Sequence, residues 1–385
     1  MNTTGLENAT QENGTIANLE FNLDSVVTNT ALFFLAVIPI YIGSFRSLRC
    51  KKSTDKEKSV EVVTAKDAAM FPFIASAALF GMYVVFKVGS YLPPYNVVQF
   101  VPMQYINYVL KLHFSFMGTC AMSRFLSPIF RPYMPNCIQN NCYKLEFSKS
   151  SESTENGSNS EWKLIDRSVL SIETKDFLGT GVALLLGIWY FMSGHWVANN
   201  FVAVTIAILA IEFIRLNKFS NGILLLCGLF IYDIFWVFGT GVMVAVAKNL
   251  DAPIKVIFPR DFLMHGFYGK QLALLGLGDI VVPGVFIALL LRFDTKLGRK
   301  NSCAYFYCGY IAYIVAIITT FVMMHVFKHA QPALLYLVPA CLGAPLLMAL
   351  VKNDIPAMLS YEDEPEPEKT NEADNSVSSD DKKIN

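Results

Sequence analysis

Read from the N-terminus, the chain alternates between long apolar runs and short charged patches. Runs such as "ALFFLAVIPIYIG", "FLGTGVALLLGIWYF" and "VFIALLLRF" are separated by clusters of Lys, Arg, Asp and Glu. A membrane-spanning helix needs about 20 predominantly apolar residues. On that basis the pattern predicts nine spans, at about 26–45, 68–88, 103–123, 177–193, 197–214, 221–247, 271–292, 303–325 and 332–351. The expected fold is an all-α polytopic membrane protein with nine transmembrane helices. The fourth and fifth spans are separated by little more than "SGHW", which suits one re-entrant hairpin as well as two crossings.

Composition supports a membrane protein. Hydrophobic residues make up 54% of the chain and charged residues 16%, where soluble chains carry about 25% charge. The formal net charge of zero argues against a nucleic-acid partner. The eight cysteines include no CxxC pair, and Cys120, Cys227 and Cys341 fall in apolar runs, so a disulfide framework is not expected. His325 and His329 stand four apart, but "HVFKH" lacks the Glu that follows the first His of the zinc-protease motif. No metal or cofactor is expected.

Charge orients the spans. The tail before Asp24 contains no Lys or Arg, whereas Arg46, Arg49, Lys51, Lys52, Lys56 and Lys58 follow the first span. Basic residues also follow the third, fifth and seventh spans, which puts them all on one side when the N-terminus is outside. The loop 248–270, with Lys248, Lys255, Arg260 and Lys270, is the exception. Residues 1–25 then form a lumenal tail with glycosylation sequons at Asn2, Asn8 and Asn13. Residues 26–351 form the membrane domain and 352–385 an acidic cytosolic tail. The Ser/Asn-rich stretch 148–161 reads as a flexible connector, and the chain from Glu362 onward as disordered.

Two acids interrupt the apolar pattern. Asp233 lies about twelve residues into the sixth predicted span and Asp279 about nine into the seventh. Adjacent spans run antiparallel, so the two carboxyls can meet at similar depth. A carboxyl at the bilayer centre costs about 2.5–3.5 kcal/mol on insertion scales, so such acids mark function or a bonded structural pair. Close carboxyls cannot both ionise and share one proton, which is the arrangement of aspartic proteolysis. The two acids alone also fit a proton or ion relay, which they favour slightly over proteolysis, and a purely structural pair, which they favour less. Gly276 and Gly278 would loosen a helix before Asp279, costing about 1 kcal/mol each in a helix interior. They would also let a substrate backbone approach. Pro332 is expected to open the ninth span, and a Pro332–Ala333–Leu334 corner to pack against the acids.

Three segments together carry a resemblance. Tyr232–Asp233 within "CGLFIYDIFWVFGT" (227–240), Gly276–Leu277–Gly278–Asp279, and "QPALLYLVP" from Gln331 to Pro339 resemble the signature set of the GxGD intramembrane aspartyl proteases. "MFPFIAS" (70–76), "GHWVANN" (194–200) and "FKHAQPALLYLVPAC" (327–341) point to its signal peptide peptidase branch, over about residues 26–361. The resemblance implies a catalytic dyad of Asp233 and Asp279, with Tyr232, Gly276, Leu277, Gly278, Gln331, Pro332, Ala333 and Leu334 around it. It implies substrates that span the bilayer with a cytosolic N-terminus, such as signal peptides and type II membrane proteins. A homo-oligomer and the endoplasmic reticulum degradation machinery are compatible partners beside the lipid bilayer. The terminal "KKIN", with Lys382 and Lys383, resembles a dilysine signal for retrieval to that compartment. The alternative is a non-enzymatic scaffold that binds misfolded membrane proteins for degradation.

Overall fold

The computed structural model describes residues 4–52, 61–91, 103–134, 141–153, 161–240, 242, 253–269, 271–299, 303–327 and 331–363. Among the described residues there are nine helices of 17 or more residues: α1 (Thr4–Lys52), α2 (Ala65–Tyr91), α3 (Met103–Phe130), α4 (Phe177–Ser193), α5 (Trp196–Phe213), α6 (Phe219–Phe238), α7 (Gly278–Leu297), α8 (Ala304–Phe327) and α9 (Leu334–Val351). Seven of them are long and apolar enough to cross a membrane. The other two are α3 and α7, and α7 carries Asp279, Arg292, Asp294 and Lys296. The protein is a polytopic helical membrane protein.

The helix α7 lies at the centre, packed on by α1, α5, α6, α8 and α9. Its sequence from Pro283 to Asp294 is buried without interruption; the run to Leu291 is apolar all round, and the buried Arg292 and Asp294 beyond it meet Asp363 and the Phe306 amide. Small residues let its neighbours close in. A Cβ on Gly284 would meet Ile211 Cδ1 of α5 at 2.6 Å, and one on Gly222 of α6 would meet Phe286 Cδ2 at 2.8 Å. At the periphery, α2 exposes Phe71, Phe73, Ile74 and Phe80, an apolar face suited to lipid.

The fourth and fifth predicted spans are two separate helices. Gly194 ends α4 in the left-handed region at φ 60°, a conformation that favours glycine because it has no Cβ. The His195 side chain then accepts from the Val197 amide and caps α5.

Three small sheets join the helices. β1 (Glu61–Val63) pairs in parallel with β4 (Ile214–Leu216). β2 (Cys142–Ser153) pairs antiparallel with β3 (Glu161–Glu173), and β5 (Lys255–Pro259) with β6 (Leu272–Gly276). The second sheet corrects the expectation of a flexible connector over 148–161, since 148–153 lie in β2 and Glu161 opens β3. The flanks "YKLEF" and "WKLI" alternate at the strand period. Their register, with Tyr143 opposite Ile172 and Leu145 opposite Leu170, extends the pairing into the serine run.

Two span boundaries also differ. The seventh was expected to begin at 271, but 272–276 is strand and α7 begins at Gly278. A short apolar run does not distinguish strand from helix by periodicity, and here the partner strand β5 decides it. The sixth helix ends at Phe238, with Gly239 as its cap; Val242 is helical again, and 241 and 243–247 lie outside the described residues. The packed structure also continues past 351, through a helical turn at Ile355–Leu359 to Asp363. The expectation of disorder from Glu362 is thus not met at Glu362 and Asp363, and 364–385 lie outside the described residues. Asp363 is buried against Arg292 at 2.7 Å, and Glu362 pairs with Lys218. Asn2, Lys382 and Lys383 lie outside the described residues, and Asn8 and Asn13 fall within the span of α1.

The polar contacts gather at two opposite ends of the bundle. At the C-terminal ends of α1, α5 and α7 are Arg46 with Glu212 at 2.7 Å, Arg292 with Asp363, and Arg299 with Asp354 at 2.7 Å. At the N-terminal ends of α5 and α7 lies the β5–β6 hairpin. There α1 also holds on: Thr28 Oγ1 donates to Pro259 O at 3.0 Å, and the Leu263 amide donates to Asp24 Oδ1 at 3.0 Å.

Candidate active site

Asp233 lies on the inner face of α6, 4% exposed. Its Oδ2 accepts the backbone N–H of Leu334 at 3.0 Å. Leu334 is the first residue of α9, so its amide is one of those that a helix start leaves without an intrahelical acceptor. The positive end of the α9 dipole therefore faces a carboxyl. Pro332 was expected to open this helix, but it precedes the start by two residues. At the Pro332–Ala333–Leu334 corner, the Leu334 backbone makes a hydrogen bond to Asp233. Pro332 and Leu334 are buried, while Gln331 and Ala333 are half-buried beside them.

Asp279 is the second residue of α7. The strand β6 runs into it directly. Gly276 closes the β5–β6 register opposite Lys255, Leu277 donates its N–H to Ile254 O at 2.9 Å, and the helix starts one residue later. Asp279 is thus not nine residues into a helix, as the sequence pattern suggested, but at a strand-to-helix junction. The helix end is a favourable place for an acid. The glycines do not loosen a helix here. A Cβ on Gly276 would lie 3.2 Å from Asp279 Oδ2, whereas one on Gly278 would meet nothing within 4 Å.

The helices that carry the two acids, α6 and α7, pack directly on one another. Tyr232 is half-buried next to Asp233, its ring 6.4 Å from that of Trp236. Trp236 Nε1 donates to Ser76 Oγ of α2 at 3.1 Å, which ties the α6 end of the site to α2.

Three further residues adjoin the site without having been singled out. Tyr313 on α8, fully buried, donates from its hydroxyl to Asp279 O at 3.4 Å. Asn199 and Asn200 at the start of α5 hydrogen-bond the backbone of β5. A tyrosine inside an apolar span gives no signal of its own. The asparagines stood in the sequence as a polar pair at a helix start, and their acceptors, 56 and 57 residues away, were invisible. Among the described residues no group of His, Cys, Asp and Glu comes together in a way that could hold a metal ion; His329 lies outside them.

The fold and the relatives of the chain define its class: it is an intramembrane protease. Intramembrane protease 2 of Caenorhabditis elegans is 31% identical over 441 residues, covering 92% of this chain and 94% of that protein. More narrowly, the family model described as signal peptide peptidase matches residues 54–365. Human signal peptide peptidase is 44% identical over 333 residues, covering 86% of this chain and 82% of its own, and the mouse protein is 43% identical over 361 residues, covering 92% and 90%. The chain belongs to the signal peptide peptidase family.

Proposed function

We propose that the chain is an aspartyl endopeptidase of the GxGD type that cuts membrane-spanning peptides with a cytosolic N-terminus, notably signal peptides left after signal peptidase cleavage. The observation that carries this reading is that Asp233, within α6 and bonded to the first amide of α9, and Asp279, at the start of α7, sit on helices packed against one another inside an apolar bundle. One carboxylate takes a proton from a water as that water attacks the scissile amide carbon. The other, protonated, hydrogen-bonds the amide oxygen, and the dyad then returns a proton to the leaving nitrogen. The proton belongs to the pair rather than to either acid.

Substrate must reach the dyad with its amide free of helical hydrogen bonds. The strand β6 suits this, since among the described residues it pairs with β5 alone and its second edge leads to Asp279. An unwound segment joining that edge would gain backbone hydrogen bonds in place of those it lost. Pro332, Ala333 and Leu334 close the opposite side, next to Asp233, with Gln331 preceding them.

The reading includes residence in the endoplasmic reticulum with the N-terminus lumenal and the C-terminus cytosolic. It is supported by the Lys and Arg bias of the loops, the sequons at Asn2, Asn8 and Asn13, and Lys382 with Lys383. The test of the activity is incubation of the purified protein in detergent with a synthetic signal peptide, followed by mass spectrometry of the products. Cleavage within the apolar segment is expected, and its loss in both Asp233→Ala and Asp279→Ala with insertion intact. Retained cleavage in either variant would remove the dyad, and a function that survives both would favour a scaffold.

A further inference from the structure

The strand β5 has two edges, and both are occupied. One pairs with β6. The other meets the first turns of α5, where Asn200 Nδ2 donates to Ile257 O at 2.6 Å and Ile257 N–H donates to Asn200 Oδ1 at 2.9 Å. Asn199 Nδ2 donates to Lys255 O at 2.9 Å on the same edge. A side-chain amide offers one acceptor and a donor in the geometry of a peptide group. Asn200 therefore stands where a third strand would, bonding both backbone groups of Ile257. Both asparagines are buried, at 5% and 6% exposure, where an unpaired amide is costly.

This contact fixes which backbone groups face outward on β6. In an antiparallel pair, opposed residues alternate between those that exchange hydrogen bonds and those that do not. Ile257 spends both of its groups on Asn200, so Val256 and Phe258 bond to β6, opposite Leu275 and Ala273. Leu274 and Gly276 then turn their N–H and C=O groups to the open edge, beside Leu277–Gly278–Asp279. A slip of one residue would turn those groups inward and present Leu275 instead.

We infer that Asn200, aided by Asn199, is a positioning residue for substrate. Its amide closes the outer edge of β5 and locks the hairpin register, so that an extended substrate strand can join only β6, in one alignment with Asp279. The inference deepens the protease reading and rests on it for the word substrate, but the clamp itself can be read without activity.

The experiment uses the full chain purified in detergent, with a synthetic signal peptide as probe. Asn200→Ala should raise KM about tenfold while kcat per active site changes by less than about threefold, and secondary cuts should appear one or two residues from the main one. Asn199→Ala, which loses one bond rather than two, should show a smaller rise. Asn200→Asp provides a chemical rescue. Ionised, it repels Ile257 O; protonated, its O–H donates there while its other oxygen accepts the Ile257 amide. The KM ratio of this variant to the parent should fall toward one as pH is lowered. Unchanged KM and cut position, with only less active enzyme, would overturn the inference. So would a KM ratio for Asn200→Asp that is flat with pH. Amide hydrogen exchange over 253–277 reads the clamp independently, and should speed up in Asn200→Ala. If the parent cuts nothing, the protease reading fails. Unchanged exchange in the variant would then overturn the clamp as well, and faster exchange would uphold it.

Discussion

Tyr313 Oη stands 3.4 Å from the carbonyl oxygen of Asp279, the acceptor that Pro283 leaves free. Pro283 lies four residues after Asp279 in α7 and has no N–H to give it. A buried carbonyl without a donor is rare and costly, and the α8 hydroxyl supplies one from outside the helix. The first turn of α7 thus depends on a neighbouring helix for the bond that holds the Asp279 backbone. Tyr313→Phe should lower kcat several-fold and leave KM nearly unchanged, because a bond worth about 1 kcal/mol orients the acid rather than binding substrate. Pro283→Ala restores the intrahelical donor. In that background the effect of Tyr313→Phe should largely disappear, and kinetics of the four proteins of this cycle provide the check.

The two glycines before Asp279 should separate in their kinetics. A methyl on Gly276 would sit 3.2 Å from Asp279 Oδ2, tighter than nearly all real Cβ contacts, so the carboxyl must shift. Gly276→Ala should act chiefly on kcat, with a loss of about tenfold or more, since a small misplacement of a reacting group is costly. A methyl on Gly278 would meet nothing in the free enzyme. Gly278→Ala should fold normally, and a defect should appear as a raised KM, caused by collision with the incoming strand. Steady-state kinetics with one peptide substrate distinguish the two, and a pure KM effect at Gly276 would contradict this geometry.

The clamp below α9 carries a pH signature. Arg299 donates to both oxygens of Asp354, at 2.7 and 2.9 Å, and Tyr305 Oη donates to Oδ2 at 2.7 Å. The Arg299 hydrogen bonds, followed by that of Tyr305, hold the Asp354 carboxyl below its ordinary range. A depressed folded-state pKa gives stability that is complete above the unfolded value, about 3.9 for Asp, and is lost as pH falls through the lower folded value. Arg299→Leu should therefore be less stable than the parent at neutral pH, and the two should converge on acidification below about pH 3.9. Thermal unfolding in detergent across that range is the measurement. A constant gap would mean that Arg299 acts by packing alone.

The helical fold was legible because spanning helices announce themselves by length and apolarity. Both acids were legible because they break that pattern. What stayed hidden depended on partners distant in sequence. "LALLG" reads as helix until "KVIFP" is placed beside it, so the strand feeding Asp279 was absorbed into the seventh span. Leu334 contributes a backbone amide, which no side-chain pattern announces. Asn200 and Tyr313 are ordinary residues whose roles arise from one strand and one proline elsewhere. The C-terminal segment was misread for a related reason. Acidic composition predicts disorder, but Asp363 has a buried arginine to meet.

That last contact joins the C-terminal segment to the helix that carries Asp279. Arg292 lies on α7, thirteen residues beyond Asp279, with its side chain wholly buried; Asp363 is 1% exposed and 2.7 Å from it. Ser47 of α1 accepts from Arg292 Nη1, and Tyr361 Oη donates to Asp363 Oδ1 at 3.2 Å. The Asp363 amide also donates to Asn217 O at 2.7 Å, which pins the segment between α5 and α6. Removing one partner of a buried ion pair leaves the other uncompensated, at a cost of about 3–5 kcal/mol, whereas replacing both by apolar residues is often neutral. Asp363→Ala should therefore destabilise the enzyme sharply, and Arg292→Leu with Asp363→Leu should recover most of the loss. Deletion of 364–385 should leave thermal stability in detergent unchanged, and deletion from Glu362 should reproduce the Asp363→Ala defect. If both truncations behave alike, the segment is not a strap on α7 and the pair contributes nothing to holding the helix that carries Asp279.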